Sequence, residues 1–194
     1  MRWMDTGETG VISKLNESPS GLTWSPDGKW LAFTMSVKAE NEPIAEPRDI
    51  PDGASWADEP IVIKNTQYQY DGSGIVEPAH RHIFIMPADG GTAFQLTDGN
   101  FNHFGSLAWT ADSKEIYFSA YRSNDWEVVS DEADIYAVNI DTKELKQITS
   151  EPGAERSPSI SPNGKTLAFI KEERRPLAYT PDRIAIVNVD ACAL

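Results

Sequence analysis

A single cysteine, Cys192, leaves this sequence without an internal disulfide and without a multi-cysteine metal site. Basic residues are scarce. Seventeen Lys and Arg stand against thirty Asp and Glu, a formal charge of −13, which argues against nucleic acid or an anionic membrane as partner. The few cations do not gather either, since Lys171 to Arg175 mixes both signs. No apolar run approaches the ~20 residues that a membrane-spanning helix needs. Met1 to Asp5 opens no signal-peptide core. The chain is expected to begin inside a structural unit, so the compartment stays open between cytoplasm and periplasm. With 40% apolar residues, the composition is that of a soluble globular protein with material for a core.

Catalytic signatures are missing as well. Gly53-Ala54-Ser55-Trp56-Ala57 fails the Gly-x-Ser-x-Gly nucleophile elbow at its last position. Gly164-Lys165-Thr166 resembles the end of a phosphate loop, but Ser159 stands where the upstream glycine belongs. Three histidines are present. His80 and His82 flank Arg81 just before an expected strand and point to one side by alternation, yet no acidic or cysteine partner has metal-ligand spacing. The expectation is no cofactor and no metal.

What the sequence does contain is a phrase written three times: Trp24-Ser25-Pro26-Asp27-Gly28-Lys29, Trp109-Thr110-Ala111-Asp112-Ser113-Lys114 and Ile160-Ser161-Pro162-Asn163-Gly164-Lys165. An apolar strand follows each copy. A second phrase lies between them, Ile83 to Thr97, returning at Ile135 to Thr149 and in part at Ile184 to Asp190. Both read as hairpins, with Pro presetting φ and Gly taking the positive φ of the turn. Departure from Pro-Asp-Gly at Ala111-Asp112-Ser113 predicts a looser middle turn.

Spacings of 51 residues from Trp109 to Ile160 and 52 from Ile83 to Ile135, with four strands per period, are the signature of propeller blades. Consecutive apolar positions such as Leu31-Ala32-Phe33 fit sheets covered on both faces. The expected fold is therefore an all-β propeller of four-stranded antiparallel blades. Over residues 1–194 the units fall at 18–98, 105–150 and, incomplete, 157–190, after a fragment at 1–16 in which Val11 to Leu15 reads as an outer strand. Closed propellers use about 4–8 blades. Three and a piece cannot close a ring, so the chain is read as part of a longer protein with open blade edges prone to self-association.

The first unit carries an insertion at 37–80 that turns strand-like from Ile61 to Tyr70. Strand alternation puts the tight turns at one end of the blades. It puts the long loops at the other: 37–80, 122–133 and 172–182. Function is expected at that loop end. Arg122 opens the second loop, where a guanidinium offers a planar fork for a carboxylate, or else pairs within the loop with Asp125 or Asp131. Asp125, Trp126 and Glu127 join it as contact candidates. The acidic residues Glu127, Asp131, Glu132 and Asp134 read as a solvated rim or, alternatively, as a glycosidase-type carboxylate set.

Several stretches resemble one family. Tyr70 to Gly74 lies ahead of Arg81 to Gly91. Gln95 to His103 leads into Trp109. Tyr117 to Arg122 is followed by Asp125-Trp126-Glu127, and Ile148-Thr149, Gly153 and Ser157 to Pro162 follow in order. Together they are similar to TolB-like, WD-related repeats, and in particular to the N-terminal propeller of the prolyl oligopeptidase family of serine peptidases, in its acylaminoacyl-peptidase and dipeptidyl-peptidase-like branch. Tyr121 departs from that pattern, which has Asn there. The resemblance implies a non-catalytic propeller that restricts entry of peptide substrates to an α/β-hydrolase domain of the same parent chain. No residue here would perform the chemistry. The alternative is a TolB-like propeller that binds protein partners. A Gly-x-Ser-x-Gly elbow downstream would favour the peptidase, and further repeats would favour TolB.

Overall fold

The computed structural model describes residues 4–39, 49, 51–55, 62–66, 68–72, 74–76, 78–129, 132–174 and 181–189. Trp56, Ile61, Asp131, Asp190 and Cys192 lie outside them. Among the described residues there is no α-helix. β1 (Ser20–Trp24), β2 (Trp30–Lys38), β5 (Ala79–Pro87) and β6 (Phe94–Gln95) form an antiparallel sheet in the order β1-β2-β5-β6. β7 (His103–Trp109), β8 (Glu115–Ala120), β9 (Asp134–Asn139) and β10 (Leu145–Gln147) form the second in the same sense. β11 (Gly153–Ile160), β12 (Thr166–Glu173) and β13 (Arg183–Asn188) form a third, three-stranded sheet. These are blades of a β-propeller, and the sheets form a partial, open array.

Each strand splits its apolar residues between two faces, because successive side chains alternate. In β2, Ala32 packs towards the second blade with Ile83, Ile85, Trp109, Ile116 and Phe118. Leu31 and Phe33 pack on the opposite side with Phe84 and Met86. Tyr117, Ile135 and Ala137 of the second blade meet Leu167 and Phe169 of the third. Burying one large apolar side chain contributes ~1.5–3 kcal/mol, so these two interfaces hold the blades together. Beyond Leu31 and Phe33, Ile12 and Leu15 cover the first sheet. Val11 to Leu15 is thus no outer strand. The segment lacks a ladder and lies against the sheet face, with Ile12 carbonyl accepting from Gly91.

The three tight turns share one construction. Ser25 Oγ donates to Asp27 at 2.6 Å and accepts from Trp30 N–H, while Asp27 accepts from Lys29 N–H. Ser161 and Asn163 repeat this. So do Thr110 and Asp112, where the hydroxyl donates to the carboxylate at 2.7 Å. The middle turn is therefore closed by the same bonds as its neighbours, and the expected looseness is absent. The hydroxyl and the carboxylate or amide shape the turn, not Pro and Gly. Ser113 takes the glycine position at φ 61 and is buried, because its Oγ accepts Asp27 N–H from the adjacent blade at 3.1 Å.

That contact also brings the turns of neighbouring blades to one end of the array. Lys29 and Lys114 carbonyls accept from Ala88 and Ile140, which seats the third turn of each blade beside its first. The inner strands share a further device. Bulges interrupt β1, β7 and β11 at Gly21, Gly105 and Ser157, each at positive φ. A bulge bends and twists the strand locally.

Between β2 and β5, the strands among the described residues are β3 (Gln69–Tyr70) and β4 (Gly74–Ile75), a two-stranded hairpin. Residues 62–66, expected as strand, pair with nothing in a sheet.

Candidate functional site

At the loop end, side chains from the first two blades converge. His80 and His82 sit inside β5, not ahead of it, and both are buried while Arg81 between them is exposed. His103 begins β7 and is fully buried. Its ring lies 5.1 Å from that of His82 and 5.4 Å from Phe118. Nδ1 of His103 lies 2.9 Å from the Arg81 carbonyl, an acceptor only, so Nδ1 carries the proton. Nε2 is then a lone pair, and it accepts Nη1 of Arg122 at 2.8 Å. Burial is the main cause that pushes His103 down to about 3, with the charge of Arg122 adding to it.

Arg122 follows β8 and is half-buried. Its guanidinium carbon stands 4.6 Å from the Phe101 ring centroid and 6.0 Å from that of Tyr136. Nη1 also donates to the Asp98 carbonyl at 3.4 Å. The expected intra-loop pair with Asp125 does not form, because the side chain turns back onto the blade interface; Asp131, the other partner considered, lies outside the described residues. Among the described residues no carboxylate forms a salt bridge with Arg122. Burial lowers its pKa, opposed by the phenol of Tyr136 and the charge of Asp98.

The other three candidates have separate positions. Trp126 packs edge-on against His80, ring centroids 5.9 Å apart. Glu127 is tied to the insertion: its carboxylate accepts Thr66 N–H at 3.3 Å and its carbonyl accepts Thr66 Oγ1 at 3.2 Å. Asp125 is exposed, and its carbonyl accepts from Val128 and Val129. The structure therefore brings Trp126 and Arg122 onto the histidine row and fastens Glu127 to the insertion.

A second polar group lies between blades two and three. Glu155, buried on β11, pairs with Lys171 Nζ at 3.3 Å, and Glu132 pairs with Arg174 at 2.5 Å. Asp134 accepts from Gln147 at 2.9 Å. Burial, then the charges of Glu155 and Glu132, push Asp134 up to about 6.

Sequence reasoning passed over Glu155 and the role of His103. Nothing in the spacing marks either residue, because the groups they meet come from other strands. Chemically, the first site offers a cation held by a neutral ring. Thr97 Oγ1 lies 3.4 Å from His82 Nδ1, but it is buried and already accepts Ile83 N–H, so it is a strand fastener and not a nucleophile. Among the described residues no cluster of three or more His, Cys, Asp or Glu has the arrangement to hold a metal ion.

Residues 57–173 match the family model of the dipeptidyl peptidase IV (DPP IV) N-terminal region. An uncharacterized peptidase of Bacillus subtilis, YuxL, is 31% identical over 116 residues, which is 58% of this chain and 17% of that protein. The chain spans at most half the length of the curated relatives it matches. The acylaminoacyl peptidase of Pyrococcus horikoshii superposes with a TM-score of 0.62 at 12% identity, over 95% of this chain and 26% of that one. TolB of Acinetobacter baumannii gives 0.56 at 17% identity, over 97% and 34%. These two likenesses are of fold alone.

Proposed function

The chain belongs to the dipeptidyl peptidase IV N-terminal region family, and from that premise we propose that it is the non-catalytic, substrate-gating propeller of a serine peptidase. Its partners in this reading are an α/β-hydrolase domain of the same parent protein and a short peptide. The observation that carries it is the asymmetry of the blades. One end consists of tight turns closed on themselves. The other carries the insertion, the 122–129 loop and a half-buried guanidinium without an ion-pair partner among the described residues. Loops carried on a rigid scaffold are where recognition is built. In this reading Arg122 and Trp126 meet substrate or the hydrolase domain, with Asp125 at the rim. Glu127 holds the insertion against the loop.

Gating is a statement about substrate size, and size tests it. The full-length protein is expected to cleave short blocked peptides and to spare an unfolded polypeptide of a hundred residues or more. Equal cleavage of both, per susceptible bond, removes the gating role.

A further inference from the structure

We propose that the Nε and Nη2 edge of the Arg122 guanidinium, at the loop end of the interface between the first two blades, receives the α-carboxylate of a short peptide, with His103 as its positioning residue. This rests on the reading above for the substrate being a peptide. It adds which end of the peptide is recognised and by what.

An arginine has five N–H donors in a planar fork. Here Nη1 is committed to His103 Nε2 and to the Asp98 carbonyl. The three N–H groups on Nε and Nη2 have no partner among the described residues. They form a two-pronged edge with the spacing of a carboxylate. A cation removed from water is costly unless it is paired. The common solution is a carboxylate of the protein itself. At this site Asp98 gives its backbone carbonyl, and the strongest acceptor is an uncharged ring. No carboxylate among the described residues forms a salt bridge with the guanidinium, although the charge of Asp98 acts on it.

The surroundings narrow the ligand. The guanidinium carbon lies over the Phe101 ring, 4.6 Å from its centroid, and 6.0 Å from that of Tyr136. The donors of the fork lie in the guanidinium's own plane, and a ligand approaches them there. A planar, singly charged group fits that approach. The formal charge of −13, with Asp98 close enough to act on Arg122, disfavours a phosphate dianion.

His103 fixes this arrangement by its tautomer. Because Nδ1–H is held by the Arg81 carbonyl, Nε2 presents only a lone pair to Arg122. The ring therefore holds the guanidinium without neutralising it.

The test uses the full-length protein and one N-acetyl tripeptide, N-methylated at its peptide bonds to resist cleavage, in free-acid and C-terminal amide forms. Calorimetry is expected to show the acid binding at least tenfold tighter than the amide. Arg122→Gln should bring the ratio to about one with amide affinity changed less than twofold. His103→Leu should lower the ratio, and His103→Gln, which keeps an acceptor, should restore part of it at comparable melting temperature. Equal binding of acid and amide in the unmodified protein, no binding of either, or a ratio that survives Arg122→Gln overturns the proposal. The outcome is separable from gating. Loss of size discrimination with the acid preference intact removes the gate and keeps the pocket, and the converse removes the pocket alone.

Discussion

Arg122 and His103 are joined by a 2.8 Å hydrogen bond in which the guanidinium donates to a neutral imidazole. His103 opens β7 and Arg122 lies just beyond β8, 19 residues further on; they meet because β7 and β8 are antiparallel neighbours whose register places His103 opposite Ala120. The first prediction follows from this pair. Losing a charge-assisted hydrogen bond costs ~1.5–3 kcal/mol, so Arg122→Ala in the full-length protein should lower kcat/KM on short peptides about ten- to a hundredfold. Lys29 in a tight turn has a side chain 76% exposed and is the control; Lys29→Ala should change little. A silent Arg122→Ala with intact folding reduces the residue to a loop anchor.

Acid should destabilise the fold. Burial, as the leading cause, depresses His82 to about 4 and His103 to about 3 from the usual 6.5. Between those values the unfolded chain binds more protons than the folded one, so stability falls as pH drops below ~6.5. Asp134 acts in the opposite direction. Raised to about 6 from 3.8, it is held protonated by the fold and costs stability as pH rises through that window. Two histidines outweigh one carboxylate. Urea melts should show stability falling from pH 7 to 4, and Asp134→Asn should raise stability at pH 7 while steepening the fall. A flat profile contradicts the burial of the histidines.

Ser113 separates two effects at one position. Ser113→Ala removes the acceptor of Asp27 N–H and keeps a side chain at φ 61, and should cost ~1–2 kcal/mol. Ser113→Gly loses the same bond but relieves the positive φ, and should fall within ~1 kcal/mol of the parent. Denaturant midpoints decide it. Identical losses in both variants would mean that the backbone at this turn is unstrained.

These cases mark how far the sequence reaches. The repeat phrase and its spacing specify strands, their order and the grouping of turns at one end, because those depend on local chemistry and a fixed period. The first expectation to fail was the looseness of the middle turn, since Thr110 and Asp112 close it without Pro or Gly and Ser113 is held from the next blade. The outer strand at Val11 to Leu15 failed because a short apolar run reads the same whether it pairs or packs on a sheet face. Arg122 was legible as a guanidinium opening a long loop. Its partner was not, because His103 is brought to it by strand pairing and not by proximity in the chain. Glu155 was invisible for the same reason.

The third blade presents Ile184 and Ile186 at 84% and 71% exposure, paired across the sheet with Ile170 and Ala168. A strip of that kind is an association hazard. The isolated 194-residue chain should self-associate in sedimentation velocity, and Ile184→Lys with Ile186→Lys should shift it towards monomer. An unsubstituted 194-residue chain that stays monomeric at high concentration contradicts this.

The central claim is that this propeller contributes recognition and no bond-breaking group, and active-site labelling tests it most directly. The full-length protein treated with a serine-directed fluorophosphonate is digested and the adduct located by mass spectrometry. The account predicts an adduct on a serine outside residues 1–194 and none on any serine within them. A stoichiometric adduct on a serine of the propeller would contradict it.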